Sequence, residues 1–381
     1  MRIPGEPSCP PPGADLDGPA LAAALGPAAP GRRDAGHLLA CLGRMPVVPP
    51  GPVREGRSAV VDGVRVRCLA WDLGYGPATE AWLLTPAAGP GPWPGVVALH
   101  DHGGERWLGK EKVADGPDGV HPAVAARGGR PAYDHRPWAN HLARSGFAVL
   151  AHDALSWGSR RFAPAGLRAA EGAWTDDDPP AGEADADPGR IRAYDAMANQ
   201  REHTLAKWCS LLGTSFPGLL AHEDRAAATV LAARPECAPG PLACVGHSGG
   251  GARACLLAAT DPRIGAVVAS CAMTTGDGLL AHRTWLHSWQ FLPPGWAPGA
   301  DWSDILALRA GCPALVLCGA ADGGFLPEAM AAAGRRLADA WAAVGAADRL
   351  AFRLGGHGHA FGTAEQDLAT AWLAAVHGPR P

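Results

Sequence analysis

Lysine is almost missing from this 381-residue chain: Lys110, Lys112 and Lys207 stand against 30 arginines. With a formal net charge of -4 there is no electrostatic case for a nucleic-acid partner or an anionic membrane surface, so a small or neutral partner is expected. The ten cysteines show no C-x-x-C spacing, which removes the usual zinc-ribbon and redox motifs. Cys244, Cys255, Cys271 and Cys318 lie in apolar runs and read as buried free thiols. No stretch approaches the ~18 uninterrupted apolar residues of a membrane span, and the opening "MRIPGEPSCPPPGADLDG" has no basic segment ahead of an apolar run. The expectation is a cytoplasmic protein with no membrane partner. There is also no internal repeat.

What the chain does contain is an ordinary globular balance, 47% hydrophobic and 18% charged, enough for a sizeable core. Residues 1–57 alternate Pro/Gly-rich linkers with two short helical patterns, "DLDGPALAAALG" and "AGHLLACLGRM", and read as a helical arm on the body at 58–381. The Pro-rich arm offers a swapped contact for a homo-oligomer. From "GVRVRCLAW" and "TEAWLLTP" onward come continuous apolar runs: "GVVALH" (95–100), "GFAVLAHD" (146–153), "PLACVG" (241–246), "IGAVVAS" (264–270), "PALVLCG" (313–319) and "RLAFRL" (349–354). Such runs suit parallel strands covered on both faces, and helical patterns alternate with them. The expected fold class is α/β, a mostly parallel central sheet with helices on both faces. Two segments interrupt it: a mobile acidic loop at 159–190 and a Trp-rich, cap-like crossover at 274–304 containing "HRTWLHSWQFLPPGW". Thr363 and Gln366 have capping-box spacing at the start of the last helix.

The stretch "ACVGHSGGGARAC" places Ser248 in a G-x-S-x-G pattern with a strand before it and a helix after it. A strained turn of that kind lifts a serine hydroxyl clear of the sheet. A dinucleotide loop would need G-x-G-x-x-G, and a phosphate loop would need a following lysine; neither is present. Gly246 and Gly250 are small where strand and helix cross, and Gly249 opens the helix with a free N–H. A serine needs a base and an oriented acid. Asp322 follows "PALVLCG", and "GGHGHAFG" after "RLAFRL" offers His357 and His359. His359 is favoured as base because Phe361 can anchor its loop, with His357 the alternative. The loop "HDHGG" after the strand ending near His100 supplies an oxyanion donor from His102 or Gly103, beside the Gly249 N–H. Binding of a metal by His100, Asp101 and His102 is disfavoured, because neighbouring strand-end residues point in alternating directions. No cofactor is called for.

These residues resemble the α/β-hydrolase superfamily and, within it, the dienelactone hydrolase and acetylxylan esterase-like branch. The likeness covers roughly residues 60–378 and rests on "LHDHGGERWLGKEK", "GFAVLAHDALSWGSRR", "GHSGGGARACLLAATDPRIGAVVASCAMTT", "DILALRAGCPALVLCGAADGGF" and "GHGHAF". It implies Ser248 as nucleophile, Asp322 as acid, His359 as base, and Gly249 and His102 as oxyanion donors. It also implies an organising role for Asp153. The sequence departs from the branch at Gly249, where a bulkier residue is common, and this leaves room for a wider pocket. Trp285, Trp289, Phe291 and Trp296 either wall an acyl or ring-binding pocket or pack beneath the crossover. His247, His357 and Trp157 are further pocket candidates. Arg106, Lys110 and Lys112 either meet a substrate carboxylate or form a solvated face. The expected activity is hydrolysis of a carboxylic ester, of acetyl-ester or lactone type, through an acyl-enzyme. An acyltransferase, a peptidase of the prolyl oligopeptidase type, and a non-hydrolytic synthase or binding protein are the alternatives.

Overall fold

The computed structural model describes residues 18–25, 34–45, 50–164, 167, 186–296 and 300–378. Nine strands form one sheet: β1 Arg54–Val61, β2 Val64–Trp71, β3 Thr79–Pro86, β4 Gly95–Leu99, β5 Ala148–His152, β6 Leu242–His247, β7 Ile264–Ser270, β8 Ala314–Gly319 and β9 Leu350–Gly355. Their spatial order is β1-β2-β3-β5-β4-β6-β7-β8-β9. The first three strands and the β3–β5 pair are antiparallel, and every pair from β5 through β9 is parallel. Strands β4, β5, β6 and β8 are buried along their whole length, which is why they read as continuous apolar runs. β1 lacks that signature because it is a charged edge strand, mostly exposed, and the sequence pattern missed it. It starts at Arg54, inside the segment assigned to the arm.

The chain leaves β4 to form β5 on one side and later returns to form β6 on the other. The order therefore reverses between β4 and β6. Loops leaving the carboxyl ends of neighbouring strands at such a point diverge and open a crevice. One apolar core lies on the face covered by helices Phe216–Ala232, Gly249–Thr260 and Pro327–Ala343; a second lies under Trp138–Arg144 and Thr363–His377. Among the described residues no helix is long and apolar enough to cross a membrane.

Helix Ala35–Leu42 of the arm packs into the body. Leu38 and Leu42 of helix Ala35–Leu42 are wholly buried in the first core, and His37 stacks on Trp296 of the crossover at 5.4 Å. The acidic loop expected at 159–190 falls largely outside the described residues. Its end forms the first turn of a 24-residue helix, Pro188–Leu211, that periodicity did not reveal. Asp187 caps that helix by accepting from the Arg190 N–H. The capping box expected at Thr363 is absent. Asp134 instead accepts from the Thr363 N–H at 2.8 Å, and the Gln366 side chain donates to the Tyr133 and Phe361 carbonyls. Because Leu38 is fully buried, Leu38→Ala is expected to destabilise the body by about 2–4 kcal/mol, read as a lower urea midpoint in equilibrium unfolding.

Candidate active site

Ser248 sits between the end of β6 and helix Gly249–Thr260 with φ 55° and ψ -123°, a conformation costly for any residue with a side chain. Two glycines permit it. A Cβ on Gly246 would overlap the Gly250 carbonyl, and a Cβ on Gly250 would overlap the Leu99 carbonyl at the end of β4. The Ser248 N–H donates to the Ser270 carbonyl on β7 at 2.7 Å, pinning the turn to the sheet.

Two loops from later strands complete a hydrogen-bonded chain that starts at the hydroxyl. The Ser248 Oγ–H donates to His359 Nε2 at 2.7 Å, and His359 Nδ1–H donates to Asp322 Oδ2 at 2.6 Å. Burial alone would raise the Asp322 carboxyl, but the His359 partnership and the Gly324 N–H at 2.8 Å outweigh it and hold the group below its usual range. Asp322 is therefore a carboxylate at neutral pH. The His359 loop is fixed by Phe361, which is buried edge-to-face against Trp138. It is braced further by the Cys271 thiol, directed at the Ala360 carbonyl at 3.5 Å. Cys271, Asp322 and His359 place ligand-type atoms within 4.8 Å of one another, but burial pushes the thiol up to about 12, which suits a neutral brace better than a metal ligand. His357 faces away: its Nδ1 contacts the Gly358 carbonyl and its Nε2 lies 3.8 Å from Glu365.

The loop after β4 is held by buried charge. Lys112 Nζ donates to the His102 carbonyl at 3.0 Å and the Glu105 carbonyl at 3.3 Å, and lies 3.4 Å from the Asp101 carboxylate. Asp101 also accepts from the Tyr133 hydroxyl. Burial alone would raise Asp101, yet Lys112 and Tyr133 hold it down at about 2. His102 Nδ1 accepts from the Gly104 N–H at 3.0 Å, which leaves its Nε2–H for Glu202 at 3.2 Å. Burial and the neighbouring Arg106 and Lys112 charges pull this imidazole well below the ordinary histidine range, so it is neutral. Gly103, with φ 58°, makes the left-handed bend that a side chain would strain.

Helix Pro188–Leu211 supplies what the sequence reading missed. Asp195 accepts from the Arg106 and Trp107 N–H groups at 2.7 and 2.8 Å, and Asn199 donates to the Gly104 carbonyl at 2.7 Å. Glu202 pairs with Arg106 and accepts from the Ser288 hydroxyl and the Trp289 N–H at 2.8 and 2.9 Å. Asp195, Asn199 and Glu202 follow the i, i+4, i+7 rule for one helix face, and a polar stripe at that spacing was the available signal.

The cleft above Ser248 has a volume of about 450 Å³ and is lined by His102, Gly103, Arg283, His287, Phe291 and Phe325, among others. Several expected pocket residues lie elsewhere. Trp157 is buried beneath the loop, with the Arg106 guanidinium 3.9 Å over its ring and its Nε1–H donating to the His102 carbonyl. His247 is buried beside His359 and against Tyr133, and burial with the neighbouring His359 pulls it down to about 3, so it too is neutral. Trp285 is 80% exposed, and Trp289 donates to His203. The two single turns Thr284–Leu286 and Trp289–Phe291 point Leu286 and Phe291 at the cleft and their tryptophans outward. Trp296 packs in the core. Arg106, Lys110 and Lys112 are neither solvated nor in the cleft; Lys110 is paired with Asp153, which also accepts from the Ser159 N–H. The space opened by Gly249 is filled by the Gln290 amide rather than left as a wider pocket.

A carboxyl whose folded value is depressed from 3.8 to about 2 adds stability that is complete above the unfolded value and lost as pH falls through the folded one. Asp101→Asn is expected to remove about 2 kcal/mol of pH-dependent stability between roughly pH 4 and pH 2, read as a flatter acid-unfolding curve.

No family model matches the chain. It is 25% identical over 314 residues to the "Putative hydrolase YtaP" of Bacillus subtilis (strain 168), covering 82% of this chain and 88% of that protein. Among solved structures it resembles a glucuronoyl esterase from Solibacter usitatus, with a TM-score of 0.58, 14% identity, and coverage of 90% of this chain and 92% of that one. It also resembles acetyl xylan esterase 1 from Thermoanaerobacterium sp. JW/SL YS485, with a TM-score of 0.50, 15% identity, and coverage of 92% and 96%. The nine-stranded sheet with its turn at Ser248, taken with these likenesses, identifies the chain's architecture as the α/β-hydrolase fold.

Proposed function

We propose that this protein is a serine hydrolase that cleaves a carboxylic ester, of acetyl-ester or lactone type, through an acyl-enzyme on Ser248. The observation that carries the reading is the continuous hydrogen-bonded chain Asp322, His359, Ser248, assembled from the ends of three different strands. His359 Nε2 takes the hydroxyl proton as Oγ attacks the ester carbonyl. The carbonyl π pair moves onto oxygen, and the N–H groups of His102 and Gly249 receive the oxyanion. Gly103 provides the bend that presents the first of these donors. Collapse expels the alkoxide, which takes the proton from His359. Water, deprotonated by the same imidazole, then releases the acid and restores Ser248. Asp322, ionised at neutral pH, stabilises the imidazolium in both halves.

Hydrolysis is favoured over acyl transfer because His359 is exposed, so water reaches the base directly. The cleft lining mixes apolar Leu286, Phe291 and Phe325 with polar Arg283, His287 and Ser288, and His287 stacks on Phe325 at 4.8 Å. This mixed lining suits an ester with an apolar and a hydroxylated part. The names of the similar solved structures, acetyl xylan and glucuronoyl esterases, support a carbohydrate ester. The narrower likeness to the dienelactone hydrolase branch belongs to the same proposal.

A fluorophosphonate probe is expected to label Ser248 in the wild type, and His359→Ala to lower ester turnover about 10⁴-fold or more. His357→Ala is expected to keep both labelling and turnover, because His357 does not face the hydroxyl. Active-site labelling mapped by peptide mass spectrometry, with initial rates on p-nitrophenyl acetate, checks all three.

A further inference from the structure

Gln290 lies in the middle of the single turn Trp289–Phe291, and its side chain is 1% exposed. Its Nε2 is buried without a hydrogen-bond partner. Folded proteins rarely leave a buried amide N–H unpaired, and an unpaired one beside a binding cleft points to a partner that arrives later. Gln290 lines the cleft together with Ser248, His102 and His359. Its position there is tight: a Cβ built on Gly249 would overlap Gln290 Nε2 and would lie 2.9 Å from the His102 backbone nitrogen. The amide nitrogen and the His102 backbone nitrogen thus lie together over Gly249, the residue that follows Ser248.

We propose that Gln290 is a third oxyanion donor and therefore a catalytic residue. This rests on the serine hydrolase reading above. When Ser248 Oγ bonds to the ester carbon, the carbonyl π pair becomes a lone pair on oxygen, and Nε2–H of Gln290 donates a hydrogen bond to that oxyanion beside the two backbone donors. When the carbon–alkoxide bond breaks, the pair returns to the carbonyl and the hydrogen bond weakens. Gln290 exchanges no proton. A donor that strengthens its bond only as charge develops acts on the transition state more than on bound substrate.

Two features of the fold serve this role. Gly249 is required because any side chain there would displace the amide. The Gln290 turn is held by Glu202, which accepts from the Ser288 hydroxyl and the Trp289 N–H, and the Gln290 N–H in turn reaches Ser288 Oγ at 3.3 Å. The other Glu202 oxygen takes the His102 Nε2–H. One carboxylate therefore positions the loop donor and the crossover donor together.

The test compares Gln290→Met, Gln290→Ala and Gln290→Glu with the wild type, using p-nitrophenyl acetate as substrate and an aryl trifluoromethyl ketone as the oxyanion-forming inhibitor. Gln290→Met and Gln290→Ala are expected to keep the wild-type Tm and to change KM little. Their kcat is expected to fall about 10²-fold, with inhibitor affinity weakening in parallel. Gln290→Glu, whose carboxylate repels the oxyanion, is expected to fall further. Folded Gln290→Met with kcat within about threefold of wild type, or unchanged inhibitor affinity, overturns the proposal. So does faster turnover in Gln290→Ala, which would mean that the amide plugs the hole instead of completing it. In either case Ser248-dependent labelling of the wild type leaves the hydrolase reading standing. Turnover that survives Ser248→Ala removes that reading, and the proposal with it.

Discussion

The buried carboxylate of Glu202 joins the parts of this molecule that have to act together. It comes from helix Pro188–Leu211, pairs with Arg106, and accepts from His102 on one oxygen and from Ser288 and Trp289 on the other. The loop after β4 and the crossover after β7 are both irregular segments, and Glu202 bonds to each. A buried charge is tolerated only when it is paired and hydrogen-bonded, and removing one partner leaves the other stranded. Glu202 meets that condition with donors from His102, Arg106, Ser288 and Trp289. The same logic repeats at Lys112, whose ammonium gathers carbonyls of the loop after β4, and at Arg106, stacked on Trp157. These cations are structural, which explains why two of only three lysines in the chain are buried within a few residues of each other.

The second constraint is the strained turn at Ser248. Its backbone lies where a side chain is disfavoured, and it persists because the sheet surrounds it: Ser270 holds its N–H, while Gly246 and Gly250 let the helix cross against β6 and β4 without overlap. The two residues bonded in series to Ser248 need no strain. Asp322 and His359 follow β8 and β9, successive parallel strands whose carboxyl ends lie on the same side of the sheet as that of β6. Parallel order alone brings their loops toward the serine.

Much of this was legible in the sequence, for a definable reason. Strands buried on both faces must be apolar throughout, so β4 to β8 announced themselves, and the glycines around Ser248 are demanded by close backbone contact that no other residue permits. Asp322 and His359 were placed by the strands preceding them. The residues that stayed hidden act through partners distant in the chain. Helix Pro188–Leu211 buries Asp195 and Glu202 along with Tyr194, Met197 and Ala198, so its inward face is mixed and no clean apolar stripe marked it. The tryptophans of the crossover looked like pocket walls, but single turns rather than regular helices govern their direction, and Leu286, Phe291 and Gln290 take the inward places. Thr363 and Gln366 have capping-box spacing, yet Asp134 reaches that helix end first. In each case tertiary contact overrode a local rule.

The proposed ester cleavage passes through a covalent acyl group on Ser248. Rapid acid quench of the enzyme during turnover of p-nitrophenyl acetate, followed by peptide mapping, tests it most directly. The expected result is an acetyl group on the peptide containing Ser248, formed in a burst of p-nitrophenol stoichiometric with enzyme. Steady turnover with no burst and an unmodified Ser248 peptide would contradict it.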